Sequence, residues 1–98
     1  MTSPTNTILT DRFSQLLQKR EHPQTLCPSE VARSFSTSEL ETLKVASWRD
    51  LMPQLRQMSF QARDRGEIEI LQRGELVSSD CQLDDVRGPI RIRKVQDL

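Results

Sequence analysis

The chain is poor in the residues that mark metal sites, nucleotide sites and membrane spans. It contains one histidine and two cysteines, Cys27 and Cys81, which offer no spacing that resembles a structural zinc site. Its three glycines are isolated from one another, so the glycine-rich loops that cradle phosphates are absent. No stretch approaches the roughly 18 uncharged apolar residues of a membrane-spanning helix. We therefore expect no metal, no cofactor, no nucleotide hydrolysis and no membrane association.

An excess of charge of either sign is also missing, because 14 basic and 14 acidic side chains balance to a formal net charge of zero. Without a whole-molecule field, any binding to nucleic acid must come from a local patch. Residues 1–7 lack the basic and apolar regions of a secretory signal, and two cysteines alone give no reason to expect a disulfide. These features favour a cytoplasmic protein.

No pair of residues suggests catalysis. The single histidine, His22, is predicted to lie in a loop and has no supporting geometry for a nucleophilic pair with Cys27. Asp84 and Asp85 are neighbours in a polar loop, where they would not face each other across a cleft as an acid and a base do. We therefore expect a protein that is not an enzyme, has no catalytic residues and takes no evident small-molecule substrate.

Two helices are predicted in the first part of a single domain that covers residues 10–98. Residues 1–9 are predicted to be a flexible lead-in, since residues 1–6 are rich in Thr, Ser and Pro and have no apolar period. Thr10 is suited to cap a helix over residues 11–20, and Ser29 a short helix over residues 30–35. Their inward-facing residues are Phe13, Leu16, Leu17, Val31, Ala32 and Phe35. Between them, Thr25 to Cys27 is expected to be extended, because a proline follows.

A third helix is predicted after a polar connector over residues 36–47, which has room for an extra helical turn from Ser38. Ser47 and Asp50 resemble a capping box. The apolar face beyond them consists of Trp48, Leu51, Leu55, Met58 and Ala62. Pro53 lacks an N–H, so either the first turn is kinked or the main helix begins at Pro53. Gly66 is typical of the position that ends a helix.

From Glu67 onward the apolar period changes to two, which is typical of strands. Ile68 and Ile70 alternate with acids, and Arg73 with Gly74 form a turn into a second strand. After a polar loop, a last strand is predicted over residues 90–95. The order of elements predicts an α+β, winged-helix-like domain with three main helices and a small antiparallel sheet made of the wing hairpin and a C-terminal strand.

Three motifs carry a resemblance to a known family. They are Cys-Pro-Ser-Glu-Val-Ala-Arg from Cys27 to Arg33, Trp-Arg-x-Leu-Met-Pro from Trp48 to Pro53, and Gly-Pro-Ile-Arg from Gly88 to Arg91. With these motifs the chain resembles a bacterial domain-of-unknown-function family with a winged-helix-like fold. The resemblance spans roughly residues 11–94 and implies the fold, but it implies no activity, substrate, cofactor or catalytic residue.

An arginine stripe on the third helix is the strongest candidate for a functional site. Arg49, Arg56 and Arg63 repeat every seven residues and are predicted to project away from the apolar face, with Gln57 and Gln61 on the adjoining exposed arc. In a winged helix this face would enter the major groove, where arginine reads guanine and glutamine reads adenine. The alternative is a solvated helix face with local ion pairs.

The wing offers a second set of basic residues. Arg73 at the turn, with Arg91, Arg93 and Lys94 on the last strand, would contact phosphates. The alternative is that cross-strand ion pairs with acids of the same hairpin neutralise them. These acids are Glu67, Glu69 and Glu75.

Three further residues have two interpretations each. Phe60 either is exposed for a partner or packs against the 36–47 connector. Trp48 is more typical of a core anchor than of a binding residue. Cys27 is more typical of a small buried residue than of a redox-active thiol.

The sequence therefore predicts a non-enzymatic binding domain with two open hypotheses for its partner. The first is DNA or RNA binding through the third helix and the wing. Its predicted contacts are Arg49, Arg56, Gln57, Arg63, Arg73, Arg91 and Arg93. The second is a protein-interaction or homodimerisation module that uses the hairpin edge or the Phe60 side of the third helix.

Overall fold

A computed structural model describes residues 4–95, with side chains from residue 7 onward. Over this range the chain forms four helices and a three-stranded antiparallel sheet. The elements are α1 (Pro4–Gln18), α2 (Pro28–Arg33), α3 (Thr37–Thr42), α4 (Met52–Asp64), β1 (Ile68–Gln72), β2 (Glu75–Leu76) and β3 (Arg91–Lys94). Short 3₁₀ turns lie at Trp48–Leu51 and Leu83–Asp85. The predicted α+β class and winged-helix-like arrangement are confirmed.

The first helix starts earlier than predicted. α1 begins at Pro4 rather than Asp11, so Thr10 lies inside the helix and does not cap it. The physical reason is burial, because Leu9 is fully buried and continues the apolar stripe of Phe13 and Leu17 at a spacing of four residues. Part of the predicted lead-in is therefore helical, and residues 1–3 lie outside the described residues.

The second helix is also displaced toward the N-terminus, from the predicted 30–35 to Pro28–Arg33. Pro28 suits the first turn because its φ is fixed and its missing N–H would have had no helical partner. Cys27 is the N-cap residue and makes no side-chain capping bond, so the prediction of Ser29 as the cap is wrong. The residues predicted to face inward, Val31, Ala32 and Phe35, are buried.

The 36–47 connector contains α3, which starts one residue before the turn predicted from Ser38. Ser36 caps it with a reciprocal pair of hydrogen bonds: the Glu39 N–H donates to Ser36 Oγ at 3.2 Å, and the Ser36 N–H donates to the Glu39 carboxylate at 2.9 Å. The helix ends at Thr42, and Lys44, just beyond its C-cap residue, has a φ of 62°. Leu43 anchors the segment in the core.

The predicted third helix consists of a 3₁₀ turn followed by α4. The Asp50 carboxylate accepts the N–H groups of Ala46 and Ser47 at 3.2 and 3.1 Å, which fixes the start of the turn. Pro53 lies in the first turn of α4, so the helix begins beside the proline and has no proline in its interior. Gly66, with φ of 78°, ends the helix as predicted.

The sheet has the order β2-β1-β3. Arg73 and Gly74 join β1 to β2 with φ values of 54° and 81°, the pair of left-handed residues that a type I′ hairpin turn requires. Leu26 exchanges two backbone hydrogen bonds with Ile92 of β3, at 2.7 and 2.8 Å. This bridge confirms the extended segment predicted before α2 and ties the chain between α1 and α2 to the sheet.

The core lies between the helices and one face of the sheet, with α4 packed on both α2 and β1. Its most deeply buried large residues include Leu9, Leu26, Val31, Leu55, Ile70, Ile90 and Ile92. Within residues 4–95, no helix has the length and apolar character needed to cross a membrane.

Candidate functional site

The arginine stripe predicted on the third helix is not presented to solvent as a row. Arg56 reaches the loop before β3, where its two terminal nitrogens donate to the carbonyl oxygens of Gly88 at 2.8 Å and Val86 at 2.9 Å. Backbone carbonyls in a loop have no strand partners, and a planar guanidinium can satisfy two of them at once. Arg56 therefore holds the loop in place.

Arg63 is the second correction to the predicted stripe, because only 9% of the residue is exposed. Its guanidinium lies 4.7 Å from the centre of the Phe60 ring and donates to Asp64 at 2.9 Å and to the Ser78 carbonyl at 3.3 Å. Phe60 is itself buried, so an exposed aromatic on this side of the helix is also ruled out. A side chain this enclosed is not placed to read a base.

The exposed face of α4 carries no cation of its own. Its exposed residues are Pro53, Gln57, Gln61 and Asp64. Arg49 is exposed, but it belongs to the 3₁₀ turn that precedes α4 and stacks on the Trp48 ring at 4.5 Å. The face that would have to enter a major groove is thus neutral to acidic.

The wing arginines differ in how far they are neutralised. Arg93 is paired with Glu69 at 2.8 Å, so the predicted cross-strand ion pair is present at this position. Arg91 donates to the Thr25 hydroxyl at 2.6 Å and keeps a longer contact of 3.8 Å to Glu30, whose carboxylate is paired with Arg20 at 2.7 Å. Arg73 is exposed at the hairpin turn.

Four of the predicted residues, together with two unpredicted arginines, line a depression that sequence reasoning did not foresee. Its first part, of about 610 Å³, lies between the start of α2, the Trp48 turn and the Gly88–Pro89 loop. Arg33, Arg49 and Arg56 line it, together with the apolar side chains of Trp48 and Met52.

The second part, of about 380 Å³, continues the first, since Cys27 and residues 88–90 line both. It is bordered by Arg73, Arg87 and Arg91. We call the two parts together the arginine groove. Among the described side chains, no carboxylate lines either part. A smaller depression of about 270 Å³ between α1 and α4 differs in this respect, because Arg65 and Glu67 both line it and pair at 2.6 Å.

Trp48 is only partly buried and has a guanidinium against its ring from each of two segments. Arg49 lies 4.5 Å and Arg33 5.1 Å from the ring centre, both within cation–π range. The residue packs on the core, as predicted, and also lines the arginine groove. It is therefore both an anchor and a surface-forming residue.

Sequence reasoning missed Arg33 and Arg87 because each is isolated within its own segment. Arg33 ends α2 and Arg87 follows the second 3₁₀ turn, so neither belongs to a periodic basic pattern. The sequence held one indirect signal of the groove, because residues from all three motifs of the family resemblance line it.

Cysteine, histidine and acidic residues do not assemble into a reactive centre within residues 7–95. Cys27 and Cys81 are both free thiols, and Cys27 is partly rather than fully buried, with its sulfur 3.0 Å from the Ser29 hydroxyl oxygen. His22 lies 3.8 Å from Glu69. In the same range, no three metal-ligating side chains of the His, Cys, Asp or Glu type lie close enough to share an ion.

The exposed large apolar residues do not form a docking patch. In the described part of the chain these are Leu76, on β2, and Val95, just after β3. Because β2 and β3 flank β1 on opposite sides, the two side chains lie at opposite edges of the sheet.

The fold and the groove together define a small winged-helix-like α+β domain with an arginine-lined concave surface beside the Trp48 turn. The chain belongs to the family described as "Protein of unknown function (DUF3253)", whose model matches residues 6–95. No curated protein matched the chain.

Proposed function

We propose that this domain binds nucleic acid through the arginine groove and that its role is binding rather than catalysis. The observation that carries the proposal is the separation of charge. The chain as a whole is neutral, yet arginines from distant segments line one continuous surface and no described carboxylate does. Arginine is the side chain best suited to phosphate, because its planar fork donates two parallel hydrogen bonds.

The groove is a better candidate than α4 for contact with phosphates. The exposed face of α4 offers Gln57 and Gln61 for hydrogen bonding but ends at Asp64. Arg56 and Arg63 are already bonded to the protein itself. In the groove, Arg49, Arg73 and Arg87 are exposed, and a phosphate would not have to displace an ion pair to reach them.

The proposal is tested by fluorescence anisotropy of a labelled mixed-sequence oligonucleotide at several salt concentrations. Neutralising three to five phosphates gives a log–log slope of about −2 to −4.5. The double variant Arg49→Glu/Arg87→Glu is expected to bind at least about tenfold more weakly and to lower the magnitude of the slope by about two.

A matched control is Lys19→Glu, which reverses an exposed charge outside the groove. It should retain most of the affinity. Absence of binding at about 50 mM salt would contradict the proposal. So would equal affinity of the groove variant and a doubly substituted Lys19→Glu/Lys44→Glu chain, which carries the same net charge.

A further inference from the structure

The walls of the arginine groove combine charge with flat apolar surface. In the part nearest Trp48, the indole and the side chain of Met52 lie among Arg33 and Arg49, and Pro28 and Pro89 also line it. A duplex presents its phosphates outward and keeps its base faces stacked inside, so it has no base face to place in such a depression. An unpaired strand exposes both phosphates and bases.

The indole of Trp48 is positioned as a stacking surface. It is partly exposed, and the nearer of the two guanidiniums over its ring belongs to Arg49, an exposed residue whose side chain has no hydrogen bond to the described protein. A base stacked on an aromatic ring interacts more strongly than an exposed guanidinium does. The exchange is therefore favourable, because a base can take the place of Arg49 while Arg49 moves to a phosphate.

The groove also has the continuity that a strand requires. Residues 88–90 line both of its parts, so a backbone that enters beside Arg33 and Arg49 can run past the Gly88–Pro89 loop to Arg87 and Arg91. The Arg56 bonds to Val86 and Gly88 hold this middle portion in shape. The largest extent of the molecule is 37 Å, which limits the site to the lower end of the range for single-strand modules, about four to six nucleotides.

We propose that the ligand of the arginine groove is a single-stranded polynucleotide, with one unpaired base stacked on Trp48 and the backbone phosphates held by Arg33, Arg49, Arg87 and Arg91. This inference rests on the proposed nucleic-acid binding and specifies the form of the ligand. The groove presents no dedicated pattern of base-edge donors, so binding tolerates sequence, and deoxyribose and ribose strands bind alike.

The fluorescence of Trp48 can be used to measure binding directly, because the chain has one tryptophan and no tyrosine. Titration with an oligothymidylate or an oligouridylate of about twelve nucleotides is expected to quench the tryptophan fluorescence, with the same midpoint as an anisotropy titration. A duplex of equal length is expected to bind at least about tenfold more weakly at the same salt and to leave the fluorescence unchanged.

An abasic strand of the same length is the decisive ligand, because it keeps the phosphates, removes the bases and requires no change to the protein. The abasic strand should bind at least about tenfold more weakly than the base-containing strand and should not quench the tryptophan fluorescence. On the protein side, Trp48→Phe retains a ring and should bind more tightly than Trp48→Ala, with circular dichroism used to check that both are folded.

The possible outcomes separate the two proposals. Equal affinity for the abasic and the base-containing strand, or for duplex and single strand, would overturn single-strand recognition and leave phosphate binding by the groove intact. Tighter binding of polyglutamate than of the strand, at equal charge concentration and equal salt, would also overturn it, since the occupant would then be an acidic protein segment. If no polynucleotide binds, the proposed function fails, and this inference fails with it.

Discussion

Arg56 shows how a single side chain can look functional in the sequence and be structural in the fold. Its guanidinium bridges α4 to two carbonyl groups of the loop before β3. Hydrogen bonds that involve a charged group each contribute more than neutral ones do, and their loss leaves the carbonyl of the buried residue Val86 without this partner. The residue therefore shapes the arginine groove.

Substitution of Arg56 should lower stability. We expect Arg56→Ala to reduce the free energy of unfolding by about 1.5–3 kcal/mol, and Arg56→Lys to recover only part of this, because an ammonium group cannot serve both carbonyls in one plane. Urea denaturation measures both. Gln57→Ala, at the exposed neighbouring position, is the control and should change stability by less than about 0.5 kcal/mol. An equal effect at both positions would disprove the structural role.

Glu39 is the residue that most clearly links stability to pH. Hydrogen bonding from the Ser36 backbone N–H, with a further contribution from the charge of Arg12, holds the pKa of Glu39 below its ordinary value of 4.5. A carboxyl group whose folded-state pKa is lowered stabilises the fold fully above its unfolded-state pKa, and that stabilisation is lost as pH falls through the folded-state value.

Replacement of Glu39 by glutamine should therefore lower the stability of the protein at neutral pH but not in acid. The wild-type protein is expected to be more stable than Glu39→Gln near pH 7, and the difference should shrink as the pH falls below about 4.5. Thermal denaturation across this range measures it, with Glu41→Gln, an exposed carboxyl on the same helix, as the control. A difference that is independent of pH would mean that the charge of Glu39 plays no part.

At the scale of elements, α3 and α4 end with the same backbone motif but with different residues. In each helix the residue beyond the C-cap is left-handed: Lys44 has φ of 62° and Gly66 has φ of 78°. The two hydrogen bonds of a Schellman motif follow in both, as in the bond from the Val45 N–H to the Leu40 carbonyl at 3.1 Å and that from Glu67 to Ala62 at 3.0 Å. Only glycine adopts this conformation without strain.

Substitutions at Lys44 and Gly66 should change the free energy of unfolding in opposite directions. Lys44→Gly is expected to raise the free energy of unfolding by about 0.5–1 kcal/mol, because it removes left-handed strain. Gly66→Ala is expected to lower it by about 1 kcal/mol through conformation alone, since no atom lies within 4 Å of the added methyl group. Chemical denaturation of both variants checks the pair. The prediction fails if Lys44→Gly is destabilising.

At the scale of the whole molecule, the N-terminal half of α1 is part of the core. Leu9 is fully buried, although the two residues that follow it, Thr10 and Asp11, are polar and exposed. Leu9→Ala should reduce the free energy of unfolding by about 2–5 kcal/mol, as buried leucine-to-alanine changes do. In a domain of this size each kcal/mol corresponds to about 4–8 °C in Tm. Thr10→Ala, at the exposed neighbour, is the control, and an equally small effect at Leu9 would show that this part of α1 is dispensable.

The sequence determined by itself those features that depend on neighbours along the chain. The helix face of Leu51 and Leu55, the Arg73–Gly74 turn and the glycine after α4 all follow from local periodicity or local backbone preference, and the order of these elements was enough to predict the winged-helix-like fold. The Arg93 ion pair also requires the fold, since Arg93 and Glu69 are 24 residues apart along the chain and meet only because β3 pairs with β1.

Only the tertiary structure decided where the charges lie. Whether an arginine is free depends on which carbonyl or carboxylate the fold brings within reach. The carbonyl partners of Arg56 are 30 and 32 residues away along the chain, and the carbonyl partner of Arg63 is 15 residues away. The start of α1 depended in the same way on a distant surface that buries Leu9. The arginine groove joins segments from four parts of the chain, and a surface of that kind leaves no periodic pattern in any one of them.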